Sequence, residues 1–459
     1  MIVICTPYRS PEDIDKEAKN FYYEYRLDFC ENWPAIDFKA FLKKSILTYR
    51  GSDLTRDILQ DMLSSKALID LDIEQLKDFP DMVKPERLIL STHLDEYDED
   101  KILRFIEHPQ KAKFYKLILK TNSFAEILAT TKLIPKDNPR KLIFNVVGKW
   151  ALLQRSIYEL FSSYGFYVAL DEPTTAGQPT LTDLIGIWSS STIQDKRYIA
   201  IIGDERANES GSILLANVYF RQSGIRLSYL PVPAGDLSEA IDVIKFLYKK
   251  LDLIGLAITS PYKKALAEYL KSPLPIINTA QLLDHKHLHN SYHPELDMYI
   301  YSKNTDLVAL KAHLQKLEVK KEDKILIYGS GDCAEAFAQH LIRNSFSDVS
   351  LLSRNRDKAA ELIQKYRLKA AHDQEYDLLI NATPLGKKDE DDISHLPGFK
   401  KLIDLVLRLD EPALLSQKAE AENLPHMQGG EFWVEQLVPQ MQCIHYEDDY
   451  EDDYEEEFI

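Results

Sequence analysis

A glycine-rich turn between an apolar run and a helical pattern is the feature that most restricts the fold of this chain. The apolar run at residues 325–328 is followed by Gly329-Ser330-Gly331-Asp332-Cys333-Ala334. In such a G-x-G-x-x-A turn the first glycine permits a tight turn and the second lets the backbone approach a diphosphate, while the small Ala334 lets the helix pack on the strand. The sequence therefore predicts a dinucleotide-binding unit; the alternative is a glycine turn that binds nothing.

The segments after this turn favour NADP(H) over NAD. The next apolar run ends in Ser353-Arg354-Asn355-Arg356, where an NAD-binding unit usually places an acidic residue for the ribose hydroxyls. Two arginines suit the 2′-phosphate of NADP, because guanidinium groups bind phosphate bidentately. Residues 377–384 predict a further strand that runs into a polar loop. We therefore predict an NADP(H) site and no metal; ordinary punctuation of a parallel sheet is the alternative.

Residues 1 to about 190 contain eight short apolar runs separated by helical patterns. The runs are residues 2–6, 22–29, 45–50, 68–73, 88–93, 115–121, 142–148 and 166–170. This count predicts an N-terminal (β/α)8 TIM barrel, in which polar residues at the C-terminal ends of the strands face the active site. The predicted fold class is therefore α/β, with the barrel preceding the dinucleotide-binding unit.

Charged side chains stand near the ends of several predicted barrel strands. Alternation in the second strand directs Glu24, Arg26 and Asp28 to one side. The other polar positions at strand ends are Arg50, His93, Lys116, Arg155 and residues 174–178. Because these ends converge at one mouth of a barrel, we expect a single site that binds an anion.

Lys116 is the candidate nucleophile at this mouth. We expect its apolar strand and nearby arginines to disfavour the ammonium form and lower the lysine pKa, so that the free amine attacks a ketone and forms an imine. His93 would then move protons. The alternatives are an outward-facing Lys116, Lys120 as the reactive lysine, and His93 as a hydrogen-bonded core histidine.

The order of these residues resembles type I 3-dehydroquinate dehydratase, a Schiff-base (β/α)8 family, over about residues 1–185. The resemblance rests on E-x-R-x-D, S-x-H, the lysine of strand six, the late arginine and the x-x-A-G-Q loop. It implies Lys116 as the imine lysine and His93 as the acid and base. It implies substrate contacts from Glu24, Arg26, Arg50, Arg155, Thr174 and Gln178. The chain departs after Arg50, where the family usually has a second acid, and Asp53 is the residue considered as its replacement.

A second unit is predicted from residue 196, after a polar linker at residues 189–195. The runs 198–203, 253–259 and 276–279 are predicted strands, and Asn278 is placed at the end of the third. Pro261 turns the chain and presents Lys263 at a strand end, while Asp306 precedes the next helix. A lysine and an aspartate that meet across a cleft can shuttle the proton that accompanies hydride transfer. The alternatives are a solvated lysine, with Lys264 beside it, and a helix-capping aspartate.

Together with the glycine turn, these residues resemble shikimate dehydrogenase over about residues 197–445. The matching motifs are S-x-S from Ser210, T-x-P-x-K from Thr259, N-T at Asn278, N-T-D ending at Asp306, and N-A-T-P-x-G from Asn381. The resemblance implies Lys263 and Asp306 as the catalytic pair. It implies substrate contacts from Ser210, Ser212, Thr259, Asn278, Asp306 and Gln436, the last delivered by a helix that begins at Gly429 and returns to the substrate domain.

The same resemblance implies the NADP(H) contacts. They are Gly329, Gly331, Asp332, Cys333, Ala334, Ser353, Arg354, Asn355, Arg356, Asn381, Thr383 and Gly429. The chain departs from the family at Ile213, Ala216, Ala257, Asp332 and Leu407. Asp332 stands in the turn itself, where the family has a glycine.

Composition and charge narrow the possible partners. Cys5, Cys30, Cys333 and Cys443 form no C-x-x-C pair, which fits a reducing cytoplasm. We expect neither a signal peptide nor a membrane span. The net charge is −17, and nine of the acidic residues lie in a low-complexity tail at 447–457, which we expect to be disordered. An acidic balance argues against a nucleic-acid partner.

The predicted organisation is a fusion of two enzymes. The boundaries are 1–190 for the barrel, 196–305 for a substrate-binding domain, 306–428 for a Rossmann NADP domain, 429–445 for the returning helix and 446–459 for the tail. The barrel is predicted to dehydrate 3-dehydroquinate, and the second part to reduce 3-dehydroshikimate to shikimate with NADPH. The alternatives for the second part are a quinate/shikimate dehydrogenase of looser specificity and a catalytically weak NADP-binding regulatory module.

Overall fold

The chain forms two compact units. The computed structural model describes residues 2–7, 21–30, 36–136, 138–185, 187, 195–284, 291–372 and 374–445. One unit comprises residues 1–198 with 205–252, and the other comprises residues 199–204 with 253–459. The acidic tail at 446–459 and all of the predicted linker except Asp195 lie outside the described residues.

Eight parallel strands form the centre of the first unit. They are β1 (Ile2–Pro7), β2 (Tyr22–Arg26), β3 (Ser45–Thr48), β4 (Leu68–Asp72), β5 (Leu88–Leu94), β6 (Phe114–Lys120), β7 (Leu142–Val147) and β8 (Phe166–Ala169). The order β7-β6-β5-β4-β3-β2-β1-β8 follows the chain from β1 to β7 and brings β8 back to β1. The predicted eight-stranded parallel barrel is therefore confirmed.

Short helices connect these strands. They are α1 (Arg56–Ser64), α2 (Ile73–Asp78), α3 (Glu99–Ile106), α4 (Phe124–Leu133), α5 (Ala151–Ser156) and α6 (Leu181–Ile185). Four of these helices have an N-cap residue whose side chain accepts a hydrogen bond from an N–H of the first turn. The N-cap residues are Thr55, Asp72, Asp98 and Ser123. Such caps end the preceding loop and start the helix at a defined residue.

The barrel interior is filled by two kinds of side chain at alternating heights. The lower layer is apolar and contains Val3, Ile46, Leu68, Ile89, Phe114, Ile143 and Tyr167, each from a different strand. Side chains two residues further along a strand point to the same face. The position above Phe114 is Lys116, and the position above Leu68 is Asp70. The apolar layer therefore closes the barrel directly beneath a set of charged groups.

Side chains bridge the barrel between the described strands β7 and β8, which are not paired to each other. The N–H of Tyr167 donates to Asn145 Oδ1 over 2.8 Å. Arg155 Nε donates to the Tyr167 carbonyl, and its Nη1 donates to the Val146 carbonyl, both over 2.7 Å. The buried side chains of Asn145 and Arg155 thus replace the backbone bonds that would otherwise close the barrel.

A segment beyond the barrel completes the first unit. It contains the start of strand β9 (Arg197–Gly203), a π-helical turn (Ser212–Ala216), α7 (Asn217–Gln222), β10 (Leu227–Pro233) and α8 (Leu237–Lys250). Phe246 of α8 packs against Phe124 and Phe161, with ring centroids 5.4 and 5.7 Å apart. Glu239, also on α8, accepts from Lys149 Nζ and from the Phe124 N–H. This helix is thus attached to the barrel by both aromatic and ionic contacts.

The second unit begins with a mixed sheet. Its further strands are β11 (Asp252–Ile258), β12 (Thr279–Leu283), β13 (Ser291–His293) and β14 (Met298–Lys303), and α9 (Lys263–Tyr269) follows β11. β12 is antiparallel to both β11 and β14. The prediction that Asn278 ends a strand is therefore wrong, since β12 begins at Thr279. Asn278 directly precedes this strand, and its backbone already bonds to Lys303 and Ile258.

A parallel six-stranded sheet forms the rest of the second unit. After α10 (Thr305–Lys316) the elements are β15 (Lys324–Tyr328), α11 (Asp332–Arg343), β16 (Asp348–Leu352), α12 (Arg356–Tyr366), β17 (Lys369–Ala370), β18 (Leu378–Asn381), β19 (Leu402–Asp404), α13 (Leu414–Ala421), β20 (His426–Met427) and α14 (Gly429–His445). The strand order is β17-β16-β15-β18-β19-β20. Successive strands are added on one side of β15 up to β17 and on its other side from β18 onwards, so the chain changes sides between β15 and β18. Such a switch point is where open α/β sheets bind ligands, and the glycine turn follows β15. The predicted Rossmann topology is confirmed.

Among the described residues, no helix has the length and apolar character needed to cross a membrane.

Candidate active sites

Lys116 lies at the centre of a buried charged layer in the barrel. Its ammonium group donates to Glu24 Oε1 over 2.9 Å and to Asp70 Oδ2 over 3.0 Å. The ring of Tyr167 lies below it, with the centroid 4.1 Å from Nζ. Lys116 is only 5% exposed, whereas Lys120, the rival lysine, is exposed at the end of β6. The interior position thus belongs to Lys116.

The electrostatic state of Lys116 differs from the prediction. Burial alone would lower its pKa, but the Asp70 and Glu24 carboxylates outweigh both burial and the opposing charge of Arg50, so the pKa is raised. The expectation of a lowered pKa is therefore wrong for the free protein. Two carboxylates within hydrogen-bond distance hold the ammonium form, and they are also the nearest acceptors for its proton.

A chain of ionic contacts joins Lys116 to His93. Arg50 Nη2 lies 2.9 Å from Asp70 Oδ1, and Arg50 Nη1 lies 3.9 Å from Asp72 Oδ2. His93 Nδ1 lies 3.3 Å from the same Asp72 oxygen. In the register of β5 and β6, Lys116 is opposite Ser91 and His93 is two residues nearer the C-terminal ends of the strands. The histidine therefore stands above the lysine on the same side of the barrel.

His93 is a neutral imidazole at neutral pH. Partial desolvation of the ring by the surrounding protein and the charge of Arg50 lower its pKa, and these effects exceed the opposing hydrogen bond to Asp72. Its side chain remains 40% exposed at the mouth of the barrel, so a ligand can reach it. A neutral, accessible histidine is a competent general base.

Asp53 does not contact His93. Its carboxylate accepts from the Tyr49 hydroxyl over 2.8 Å, and the side chain is exposed. The carboxylate that does contact His93 is Asp72, which sequence reasoning did not single out. Asp70 was missed as well. The alternation in Leu68-Ile69-Asp70-Leu71-Asp72 was the available signal, because it directs two carboxylates to one face of a buried strand.

The other predicted barrel residues have different surroundings. Arg26 forms a two-pronged pair with Asp28, at 2.9 and 2.6 Å. Thr174 donates its hydroxyl to Gln178 Oε1 over 3.0 Å, so the two loop residues are joined. Arg155 is buried between β7 and β8, a junction that we call the β7–β8 seam, and its guanidinium group donates to backbone carbonyls there. Its role in binding substrate stays a prediction, and its contacts indicate a structural role.

Lys263 and Asp306 meet in the second unit. Lys263 begins α9 and forms an ion pair with Asp306 in the first turn of α10. Burial would lower the lysine pKa, but the Asp306 carboxylate more than compensates and raises it. Lys263 Nζ also lies 3.0 Å from Cys333 Sγ at the start of α11. The pair is therefore buried against the glycine turn, with the lysine in its ammonium form.

A second pair fixes Lys264, the neighbour of Lys263. Lys264 forms an ion pair with Glu335 of α11. Glu335 also accepts from Lys365 Nζ and from the Tyr366 hydroxyl, each over 2.9 Å. The two adjacent lysines thus have separate carboxylate partners, and only Lys263 belongs to the Asp306 cluster.

Amide and hydroxyl groups surround Asp306. Asn278 Nδ2 donates to Asp306 Oδ1 and to Thr305 Oγ1, each over 2.9 Å. Thr305 in turn donates its hydroxyl to Gln436 Oε1 of α14 over 3.3 Å. The predicted residues Asn278, Asp306 and Gln436 therefore share one network, although Asn278 reaches it from the start of a strand. Sequence reasoning missed Gln440, one turn after Gln436, which donates to Thr279 Oγ1 over 3.1 Å.

Three further predicted substrate residues lie outside this network. The Thr259 hydroxyl donates to the Ile202 carbonyl over 3.1 Å, which ties it to β9. Ser210 and Ser212 belong to the first unit, where the Ser212 N–H donates to Ser210 Oγ over 3.3 Å. Ser212 is buried and Ser210 half-buried.

The glycine turn combines a glycine in a positive-φ conformation with open space beside it. Gly329 adopts φ +132°, where a Cβ atom would lie 3.0 Å from the Ala382 carbonyl oxygen. At Gly331 a Cβ would meet nothing within 4 Å, so space is open beside the turn. Ala334 is fully buried where α11 packs on the sheet. The first N–H groups of an α-helix have no partner inside the helix, so the start of α11 suits an anion.

The loops beside the turn present the other predicted cofactor residues. Ser353 Oγ lies 2.8 Å from Ser330 Oγ, joining the second loop to the turn. Asn355 caps α12 by accepting from the Lys358 N–H over 3.0 Å. Arg354 and Arg356 on either side of it are exposed. Two exposed guanidinium groups at the end of β16 fit a 2′-phosphate.

The polar loop after β18 is held by buried hydrogen bonds. Thr383 donates its hydroxyl to Asn381 Oδ1 over 2.7 Å, and Asn381 Nδ2 donates to Asp404 Oδ1 over 2.9 Å. Burial raises the pKa of Asp404 to about 6.

A Cβ on Gly429 would lie 2.1 Å from the Val406 carbonyl oxygen, so only glycine allows α14 to begin there.

The described residues contain no group of three or more His, Cys, Asp or Glu side chains placed to hold a metal ion.

Sequence comparisons relate the second unit to known dehydrogenases. Residues 311–383 match the family model of shikimate / quinate 5-dehydrogenase. The shikimate dehydrogenase (NADP(+)) of Prochlorococcus marinus (strain MIT 9312) is 28% identical over 204 residues, which cover 42% of this chain and 68% of that protein. The protein of the same name from Methanothermobacter thermautotrophicus is 26% identical over 254 residues, covering 51% of this chain and 86% of that protein. The predicted shikimate dehydrogenase domain is confirmed by these matches.

Two solved structures are similar to this chain, one over about half of its length and the other over most of it. Shikimate 5-dehydrogenase from Thermus thermophilus, in complex with NADP(H) and shikimate, is 20% identical, with a TM-score of 0.42 and coverage of 55% of this chain and 93% of its own. The dehydroquinate dehydratase and shikimate dehydrogenase of S. pombe AroM is 15% identical, with a TM-score of 0.39 and coverage of 92% of this chain and 90% of its own.

Proposed function

We propose that the chain is a bifunctional enzyme that dehydrates 3-dehydroquinate in its barrel and reduces the product, 3-dehydroshikimate, to shikimate with NADPH. The observation that supports the first step most strongly is Lys116, buried between two carboxylates beneath an accessible neutral histidine. The second step is supported by the Lys263–Asp306 pair against the glycine turn. The order is chemically consistent, since the first product is the second substrate.

In the barrel, Lys116 must lose a proton before it can attack the ketone. Glu24 and Asp70 both lie within 3.0 Å of the ammonium group and can accept that proton. Attack by the free amine and loss of water then give an imine on Lys116. Arg50, held between two aspartates, is placed to pair with the substrate carboxylate, and this pairing would loosen its hold on Asp70.

His93 then removes a proton from the carbon next to the imine. Its neutral imidazole is the basic form, and the contact with Asp72 orients the ring. The electrons move into the iminium as an enamine, and the β-hydroxyl group leaves as water after taking a proton from the imidazolium. Hydrolysis of the conjugated imine releases 3-dehydroshikimate and regenerates Lys116.

In the second unit, the chain supplies the proton that accompanies reduction of the ketone. When bound, NADPH supplies a hydride to the carbonyl carbon. Lys263, kept as an ammonium by Asp306, is placed to donate its proton to the carbonyl oxygen. Asn278 and Gln436 are placed to hold substrate hydroxyls. In the direction of shikimate oxidation, the same pair accepts the proton.

The relatives favour shikimate and NADP(H) as the reactants of this step. Curated proteins that match this chain over most of their length are shikimate dehydrogenases that use NADP(+). The exposed Arg354 and Arg356 supply the positive charge that a 2′-phosphate needs. The family description also names quinate, so comparison of kcat/KM for shikimate and quinate decides how narrow the specificity is.

Borohydride trapping tests the barrel reaction. Incubation with 3-dehydroquinate and borohydride should reduce the imine and add ligand mass to the peptide that carries Lys116. Lys120→Ala should be labelled as strongly as the unchanged protein, whereas Lys116→Ala should not be labelled. An adduct on Lys120, or no adduct in the unchanged protein, would refute the assignment.

A further inference from the structure

Asp332 places a carboxylate in the turn where the dinucleotide diphosphate is proposed to bind. It is the first residue of α11, directly after Gly331. The side chain is only 7% exposed, and its Oδ2 atom is buried without a hydrogen-bond partner among the described residues. A buried carboxylate oxygen is normally hydrogen-bonded, since leaving it unpaired is costly. This orphaned oxygen is therefore suited to a hydrogen bond with a ligand.

The charged groups that face Asp332 do not supply the missing hydrogen bond to its Oδ2 atom. Lys263 and Lys264 of α9 attract the carboxylate, but they are paired with Asp306 and Glu335 respectively. Lys358 of α12 attracts it as well, while Glu335 of α11 repels it. The sum of burial and these charges raises the pKa of Asp332. The start of α11 opposes this effect, because the helix dipole favours an anion.

A diphosphate at this turn would meet a like charge. The open space beside Gly331 leaves room for phosphate oxygens, to which the free N–H groups of α11 can donate. Both the diphosphate and an ionised Asp332 carry negative charge. Protonation removes the repulsion and converts the orphaned oxygen into an O–H donor. One proton therefore changes an unfavourable contact into a hydrogen bond.

We infer that Asp332 couples dinucleotide binding to proton uptake: the diphosphate binds with the Asp332 carboxyl protonated and donating to a phosphate oxygen. The inference rests on the proposed function, because it assumes that the glycine turn binds NADP(H). Its direction follows from linkage. Binding raises the proton affinity of Asp332, so Kd increases with pH between the carboxyl pKa of the free protein and that of the complex, by up to about tenfold per pH unit.

Calorimetry on the full chain tests the inference directly. Titration with NADP+ in two buffers of different ionisation enthalpy measures the protons taken up. We expect net uptake with the unchanged protein that is lost in Asp332→Asn. The Kd ratio of the unchanged protein to Asp332→Asn should rise at least about tenfold from about pH 6 to about pH 8. Glu361→Gln, which removes an exposed charge from α12, should behave like the unchanged protein.

The 2′-phosphate of NADP+ also titrates between about pH 6 and about pH 8. Two ligand fragments therefore distinguish proton uptake linked to the diphosphate from proton uptake linked to the 2′-phosphate. ADP-ribose contains the diphosphate and should show the same dependence on Asp332. Adenosine 2′-monophosphate carries the 2′-phosphate but neither phosphate of the diphosphate, and it should show none. If Asp332→Asn does not fold, Asp332→Gly and these fragments on the unchanged protein still decide the matter.

The outcomes are distinguishable. Equal proton uptake in the unchanged protein and Asp332→Asn, with normal NADP+ binding, overturns the inference and leaves the proposed function intact. It would mean that Asp332 only stabilises the start of α11. Failure of the unchanged protein to bind NADP+ at any pH overturns the proposed cofactor site itself.

Discussion

At the scale of single residues, the surroundings of His93 determine how the proposed base titrates. The ring is held neutral by partial desolvation and by Arg50, while Asp72 opposes this by favouring the imidazolium. A histidine with a lowered pKa loses its basic form only when the pH falls through that lowered value. The acid limb of kcat/KM for dehydration should therefore lie below pH 6.5, the ordinary histidine value.

Replacement of Asp72 should move this limb. In Asp72→Asn the favourable charge is gone, so the pKa of His93 falls further and the acid limb shifts to lower pH. The His93 ring also loses the contact that orients it, so kcat should fall by about tenfold or more. Asp53→Asn is the matched control, since Asp53 contacts Tyr49 instead. A shift of the limb in Asp53→Asn but not in Asp72→Asn would contradict the assignment.

The adjacent lysines of α9 should differ sharply in effect. Lys263→Ala removes the proposed proton donor and should lower kcat for NADP-linked shikimate oxidation by about a thousandfold. Lys264→Ala removes the pair with Glu335 and an attraction to Asp332, but not the proposed proton donor, and should lower kcat by less than about tenfold. Steady-state kinetics of the two variants provide the test, and similar losses in both would remove the basis for assigning Lys263.

Residue identity was easier to predict from the sequence than residue environment. Lys116, His93 and Arg50 were recognised because polar residues in apolar strands are conspicuous. The sign of the Lys116 pKa shift was missed, because it depends on Asp70, which lies 46 positions earlier in the chain and 3.0 Å away in space. Distances of this kind follow from barrel closure and have no counterpart in local sequence pattern.

At the scale of elements, the β7–β8 seam depends on hydrogen bonds from Arg155. Three carbonyls, of Val146, Ala151 and Tyr167, accept from its guanidinium group. Arg155→Met leaves these buried acceptors unpaired and should lower the free energy of unfolding by about 3 kcal/mol, measured by urea denaturation.

Arg87→Met is the control for this prediction. Arg87 also donates to two carbonyls, of Leu63 and Ala67, but it is only half-buried. Water can replace its hydrogen bonds, so the loss should be about 1 kcal/mol. If Arg155→Met is as stable as the unchanged protein and only raises KM for 3-dehydroquinate, the arginine binds substrate and does not support the seam.

Element positions followed from the sequence wherever one physical rule dominated. All eight barrel strands and the β15 turn were located by apolar runs between polar segments. Asn278 was misplaced because the apolar pair Ile276-Ile277 resembles a strand, whereas β12 begins only at Thr279. The antiparallel direction of β12 is set by tertiary packing, to which apolar patterning is blind.

At the scale of the whole molecule, α8 belongs to the same compact unit as the barrel although it follows the barrel by about fifty residues in the chain. Phe246 packs on Phe124 and Phe161 of the barrel. Phe246→Ala should therefore destabilise the barrel by about 2 kcal/mol. Loss of dehydratase activity after graded heating of the full chain measures this effect.

Lys250→Ala, at the exposed end of the same helix, is the control and should leave heat resistance unchanged. Should Phe246→Ala inactivate no faster than Lys250→Ala, the aromatic contact does not stabilise the barrel. The polar linker predicts a boundary at residue 196, but composition does not reveal that α8 packs on Phe124 and Phe161 of the barrel.

A coupled assay tests the central claim, that one chain carries both reactions in sequence. Given 3-dehydroquinate and NADPH, the unchanged protein should form shikimate. Lys116→Ala should form shikimate only from added 3-dehydroshikimate, and Lys263→Ala should stop at 3-dehydroshikimate. A mixture of the two variants should restore the whole conversion. If the unchanged protein forms no shikimate, or if either single variant completes the conversion from 3-dehydroquinate, the account is contradicted.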